Sequence, residues 1–334
     1  MKKTNISALL LAALLLIQLL CAPVSAVTAE PAADAQADAQ TATDNSAKDA
    51  AAADDSVPED QLLSSREQFS VAAKAALLID LNTNRVVYEQ DADERVYPAS
   101  LTKIMTCLIA LENGNLSDVV TVSESALADL DEDSSVAGLV VGEQMTLENL
   151  LYCMMVVSGN DACNVIAEHV AGSVTDFVRM MNQRAYELGC TNTHFNNPHG
   201  LHDESHYTTA RDLAIITQAA LKSENFRQIV DTYEYKLPDD NMRQNIPKLK
   251  TTNMLIYQSM SNSLYYPRAH GIKTGYTSQA GRCVISEATG DGLDLLGIVC
   301  GAATTVLDSG DLLMENFTEC ARLFDYGFDN YSYL

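Results

Sequence analysis

Apolar and polar positions along the chain fall into three regimes. Lys2 and Lys3 precede the apolar run Leu9 to Leu20, and the small residues Val24-Ser25-Ala26 close it. Charge, short apolar core and small residues in that order predict a cleaved secretory signal over 1–26. Cys21 follows Gln18-Leu19-Leu20, too large and polar for a lipidation site. From 27 to about 66 the chain is Ala, Asp, Gln, Thr and Ser with almost nothing large and apolar to bury. This stretch is expected to be a disordered acidic linker. Globular patterning then starts and runs over 67–334.

Within it, Ala75 to Asp80 and Arg85 to Glu89 flank Asn82-Thr83-Asn84 and predict a β-hairpin. Pro98 before the apolar run Ile104 to Leu111 predicts a helix beginning near Ala99 that buries Ile104, Leu108 and Leu111. Val119 to Val122 reads as a short strand. Thr146 suits the N-cap of a helix through Met155. Asp161–Val170, Val174–Leu188 and Thr209–Leu221 read as further helices, so that about 120–220 is mostly helical. Gly271 to Tyr276 opens a β-rich tail, and Arg282–Ala288 and Leu293–Cys300 flank the turn Thr289-Gly290-Asp291-Gly292. Asp311 to Phe324 is expected to be an amphipathic helix. Strands at both ends with helices between predict an α/β (α+β) fold. In it, one antiparallel sheet is built from both chain ends, with the helical region packed against it.

The net charge is −24 over 334 residues. Nucleic acid and anionic membrane surfaces are thereby excluded as expected partners, because both demand Lys and Arg patches. Of eight cysteines, seven remain if Cys21 leaves with the signal, and an odd number cannot all pair. Cys107, Cys153, Cys163 and Cys300 lie in apolar runs, where free Cys packs as a small hydrophobe. No Cys/His metal spacing is present, so neither metal nor cofactor is expected.

Candidate chemistry begins at Pro98-Ala99-Ser100-Leu101-Thr102-Lys103. Residues three apart share a helix face, which sets Ser100 and Lys103 one turn from each other. A Ser hydroxyl needs a base, and a Lys amine becomes one when desolvation lowers its pKa. Ser158-Gly159-Asn160 ends an apolar run and precedes a helix, where Ser and Asn can point into a cleft. Lys273-Thr274-Gly275 lies on an expected strand. There a cation and a hydroxyl suit a carboxylate, and the Gly admits close approach of substrate backbone. His199, His202 and His206 form no pattern of a known metal site. Arg282 could assist carboxylate binding, but it reads first as a solvated strand residue.

The order Ser-x-x-Lys, Ser-x-Asn, Lys-Thr-Gly is one associated with penicillin-binding proteins and class A β-lactamases. The chain resembles a D-alanyl-D-alanine carboxypeptidase, a low-molecular-mass penicillin-binding protein of the S11 serine peptidase family, from about residue 68 to 328. The resemblance rests on Tyr97–Thr106, Val157–Ala162, Asn197–Asp203, Gly271–Thr277 and Ala280-Gly281. It implies a β-lactamase/transpeptidase-like fold and removal of the terminal D-alanine from peptidoglycan stem peptides during cell-wall biogenesis. It also implies acylation by β-lactam antibiotics. Ser100 is implied as nucleophile, Lys103 as its base and Ser158 as a proton relay. Asn160, Lys273, Thr274 and Gly275 would bind substrate, and the backbone N–H groups of Ser100 and Tyr276 would form an oxyanion hole. Many relatives continue into a C-terminal β-domain and a membrane-binding helix. The chain ends at Leu334, so no such domain or stable membrane anchor is expected, and the protein would act outside the cytoplasm. Two other readings remain at this point: a class A-like β-lactamase, and a non-catalytic wall- or β-lactam-binding module.

Overall fold

The computed structural model describes residues 69–333 apart from 129, 131–133, 308, 309 and 311. The expected signal and linker lie outside the described residues. Residues 58–334 form one compact unit. In chain order, β1 (Ala75–Asp80) and β2 (Arg85–Gln90) form the first hairpin. A 3-10 turn, Ala99–Thr102, leads into α1 (Lys103–Asn113). Next come β3 (Val119–Thr121), α2 (Glu124–Ala128), β4 (Gln144–Thr146) and α3 (Leu147–Val156). Helices α4 (Asn160–Ala171), α5 (Val174–Glu187), α6 (Ala210–Ala220) and α7 (Glu224–Val230) follow. Two short strands, β5 (Glu234–Tyr235) and β6 (Leu249–Lys250), precede β7 (Ala269–Thr277), β8 (Gly281–Gly290) and β9 (Leu293–Ala302). The chain closes with β10 (Thr304–Val306), β11 (Leu312–Met314) and α8 (Glu315–Asn330).

The main sheet has five antiparallel strands in the order β2-β1-β9-β8-β7, so both chain ends build it. Its strands alternate between two cores, because successive side chains point to opposite faces. Ala75, Leu77 and Ile79 of β1 pack with Ile285, Ile298 and the helical region. Ala76 and Leu78 pack with Leu295, Val299 and α8 residues Phe317, Leu323 and Phe324. With both faces covered, β1 and β9 read as near-continuous apolar runs. Side chains of Thr146, Ser173, Thr209 and Ser223 accept the expected backbone N–H at the starts of α3, α5, α6 and α7.

Several expectations are corrected. Ala99–Thr102 is a 3-10 turn rather than the first turn of the α-helix. Leu111 is half-buried, packed at the edge of the core rather than inside it. Val122 lies outside β3. The expected helix at 311–324 begins only at Glu315, since Leu312–Met314 pairs with Thr304–Val306. Helices α2 and α7 and the two-residue strands were too short to leave a periodic signal. The seven described cysteines are all unpaired and buried.

Candidate active site

Ser100 sits in the middle of the 3-10 turn and Lys103 opens α1. The Lys103 N–H reaches the Ser100 carbonyl, closing a three-residue ring. Three residues per turn bring side chains i and i+3 directly over each other. Lys103 Nζ lies 2.9 Å from Ser100 Oγ. It is also 2.6 Å from Asn160 Oδ1 and 2.7 Å from the His199 carbonyl oxygen. A neutral amine satisfies this set: two N–H groups donate to the amide and carbonyl oxygens, and the lone pair accepts the Ser100 hydroxyl proton. Lys103 is fully buried. Burial holds its pKa below the usual 10.5, against the opposing influence of Cys163 and Asp161.

Two backbones press on this turn. Ala99 holds φ at 48° and packs under Gly200, whose φ is 91°. A Cβ on Gly200 would lie 1.8 Å from the Ala99 carbonyl oxygen, so only glycine fits. On the other side runs β7. A Cβ on Gly275 would stand 3.1 Å from the Ser100 backbone nitrogen, which measures how closely the strand approaches the serine. Ser158, at φ 63°, occupies the turn between α3 and α4, and Asn160 begins α4. Among the described residues the Ser158 hydroxyl has no hydrogen-bond partner, and it faces the same cleft.

The cleft measures about 570 Å³, and Ser100, Ser158, Asn160, Thr274, Gly275 and Tyr276 all line it. Lys273 does not. It lies beneath the strand, 1% exposed, with Nζ donating to the Thr274 carbonyl at 3.0 Å. Burial, then the competing Lys103 amine nearby, holds its pKa well below 10.5. Among the described residues the cation on the cleft wall is Arg282, whose guanidinium lies 4.9 Å from the centre of the Tyr276 ring and donates Nε–H to Thr304 Oγ1 at 2.5 Å. Sequence reasoning undervalued it because a strand pattern does not reveal which loop covers an edge. It also missed Ser134, Ser135 and Thr252 on the cleft wall. Thr252 Oγ1 stands 2.6 Å from Thr274 Oγ1, joining two hydroxyls 22 residues apart. No local motif marks these positions.

His199 and His206 are buried beside the cleft, whereas His202 is exposed. His206 Nε2 lies 2.8 Å from Thr102 Oγ1 and its Nδ1 accepts the Asn196 N–H, which assigns the proton to Nε2. Burial lowers His206 to about 4 and His199 to about 3. Both are therefore neutral near pH 7. Among the described residues no group of three or more His, Cys, Asp or Glu is arranged to hold a metal.

A buried amine against a serine, a second Ser and an Asn at a helix start, and a hydroxyl-bearing strand together suit acyl transfer to an activated serine. Comparison with known proteins agrees. Residues 62–304 match the model of the peptidase S11 family, described as D-alanyl-D-alanine carboxypeptidase. The D-alanyl-D-alanine carboxypeptidase DacF of Bacillus subtilis is 38% identical over 267 residues, covering 78% of this chain and 63% of the relative. DacA of Haemophilus influenzae is 35% identical, with the same shares covered. The crystal structure of the Streptomyces K15 DD-transpeptidase superposes with TM-score 0.68 at 30% identity, over 78% of this chain and 98% of that one. Penicillin binding protein 5 of Haemophilus influenzae gives 0.67 at 32%, over 78% and 72%. The chain thus spans 63% of the length of the first two of these curated relatives. A family model covering most of the chain and these relatives lead to one conclusion: the chain belongs to the peptidase S11 family of D-alanyl-D-alanine carboxypeptidases.

Proposed function

We propose that the protein is a serine D-Ala-D-Ala carboxypeptidase that removes the terminal D-alanine from peptidoglycan stem peptides, and that β-lactams acylate the same serine. The observation that carries this reading is the 2.9 Å contact between Ser100 Oγ and the fully buried Lys103 amine. Ser100 gives its proton to Lys103 and attacks the penultimate D-alanine carbonyl. Backbone N–H groups of Ser100 and Tyr276 take the oxyanion. Ser158 passes a proton to the departing D-alanine, and water releases the acyl group. Asn160 holds Lys103 in place. The hydroxyls of Thr274 and Thr252 receive the substrate carboxylate. Lys273 and Arg282 keep the site electropositive, and Gly275 lets the substrate backbone lie against the strand. A peptidoglycan substrate puts the enzyme outside the cytoplasm, reached through the signal at 1–26, with 67–334 as the catalytic domain. Among the described residues no helix is long and apolar enough to cross a membrane.

Mass spectrometry after incubation with a D-Ala-D-Ala peptide and with a β-lactam tests this. The expected result is peptide shortened by one alanine and a long-lived acyl adduct on Ser100. Rapid β-lactam turnover without peptide cleavage would mark a β-lactamase, and neither reaction would mark a binding module.

A further inference from the structure

Asp161 follows the Ser158-Gly159-Asn160 turn and is 2% exposed. Its two carboxylate oxygens do different work. Oδ1 accepts the N–H of Ala137 at 2.9 Å as well as that of Ala162 at 2.9 Å. Oδ2 accepts the N–H of Leu139 at 3.0 Å. One carboxylate therefore binds alternate amides of a loop more than 20 residues away in sequence. The Asn160 N–H adds a bond to the Ser135 carbonyl oxygen at 2.8 Å. That loop is the cleft wall bearing Ser134 and Ser135. Its outer side is held separately, where Arg243 donates to the Gly138 carbonyl at 2.9 Å and pairs with Glu143.

We infer that Asp161 is a positioning residue: its carboxylate fixes the 134–139 wall against the Ser158–Asn160 turn and so sets the groove in which the substrate peptide lies beside Ser100. A carboxylate suits the task because only an acceptor with two free oxygens can serve donors on both sides, and hydrogen bonds to charged groups are the stronger ones. A helix-capping acid would need only the Ala162 bond. The bonds to Ala137 and Leu139 serve the wall.

Asp161 also lies within electrostatic reach of the base. Its charge acts on Lys103 to favour the ammonium form. The groups facing Lys103 are Ser100, Asn160, the His199 carbonyl, Lys273, Cys163, and the neutral rings of His199 and His206. Those near Asp161 are Cys153, Cys163 and Lys103, with the Glu143–Arg243 pair beyond Cys153. Removing the charge makes Lys103 easier to deprotonate.

The inference rests on the carboxypeptidase reading, and two measurements separate them. The first is amide hydrogen exchange at residues 137 and 139, which needs no activity. The second is kcat and KM on a D-Ala-D-Ala peptide across pH. In Asp161→Asn one oxygen becomes an NH2 group that cannot accept. Protection at Ala137 or Leu139 is expected to fall ten-fold or more. The peptide kcat/KM is expected to fall about ten- to a hundred-fold, mainly through KM, as for loss of a hydrogen bond to a charged group. The acidic limb of kcat/KM should move to lower pH. Asp161→Glu keeps the charge but displaces the oxygens: it should lose protection and affinity while the limb stays, and it carries the test if the Asn variant does not fold. Wild-type protection of both amides in either variant overturns the inference, as does an unchanged KM. Inactive wild type with exchange behaving as stated would overturn the carboxypeptidase reading alone.

Discussion

Around the Lys103 amine stand a hydroxyl, an amide oxygen and a carbonyl oxygen, and no salt bridge to it forms among the described residues. Burial without a directly paired carboxylate is what makes a lysine available as a base near neutral pH. Lys103→Arg puts a permanent cation where the neutral amine sits and cannot give up its proton. Its labelling by a fluorescent penicillin is expected to slow by about a hundred- to ten-thousand-fold, the usual worth of a general base, and thermal stability should fall because a larger, always charged group enters a fully buried site. Because the neutral amine is the reactive form, wild-type kcat/KM should fall as pH drops through the Lys103 pKa. The Thr274–Thr252 hydroxyl pair gives a second prediction at this scale. Replacing the substrate carboxylate by an amide should lower kcat/KM about ten- to a few hundred-fold, and Thr274→Val should erase that preference. His206 gives a third. Its folded pKa of about 4 lies below 6.5 in the unfolded chain, so the unfolded state binds more protons between these values. Its contribution to stability is complete above pH 6.5 and is lost as pH falls towards 4. In denaturant titrations His206→Gln should lose roughly 2–4 kcal/mol less than wild type between pH 7 and 4.

At the scale of elements, the 3-10 turn and its neighbours decide whether Ser100 meets Lys103. The Pro98 signal located this turn to within a residue or two, and Thr146, Thr209 and the Asp291-Gly292 turn were equally legible, since capping and turn chemistry are local. The tighter ring at 99–102 was not. Gly200 and β7 compress it from outside, and neither contact has a local sequence signature. Gly200→Ala is accordingly expected to lower stability by about 3 kcal/mol or more, combining overpacking with a disfavoured φ, and to abolish penicillin labelling. Phe324→Ala on α8 offers the contrast. It empties a site in the core on the other face of the sheet. Unfolding should cost about 3–5 kcal/mol less, while the labelling rate of the folded variant stays within two-fold of wild type.

For the whole molecule, every residue lining the cleft lies between Ser100 and Phe317, within the unit 58–334. A chain starting at residue 66 should therefore cleave a soluble D-Ala-D-Ala peptide at nearly the full-length rate. A large fall would assign the preceding residues a part in catalysis. The same scale explains the closure of the sheet. Its strands come from positions 75–90 and 269–302, and the order β2-β1-β9-β8-β7 sets the two ends edge to edge. The helical segment between them then has one side on which to pack, and the cleft opens where α1, the α3–α4 turn and β7 converge.

Read alone, the amino-acid order determined the fold class, most of the long elements and the three motifs, because periodicity, capping and turn residues act over a few positions and carry their own signal. The resemblance those motifs carry named Ser100, Lys103, Ser158, Asn160, Lys273, Thr274, Gly275 and Tyr276 as one site. Tertiary structure alone decided that Lys273 lies beneath the cleft and Arg282 on its wall, that Thr252 meets Thr274, and that Asp161 holds the 134–139 loop. Each of these depends on segments distant in sequence arriving at one place. Burial, which sets the proton affinity of Lys103, is likewise a property of the packed chain and not of any stretch of it.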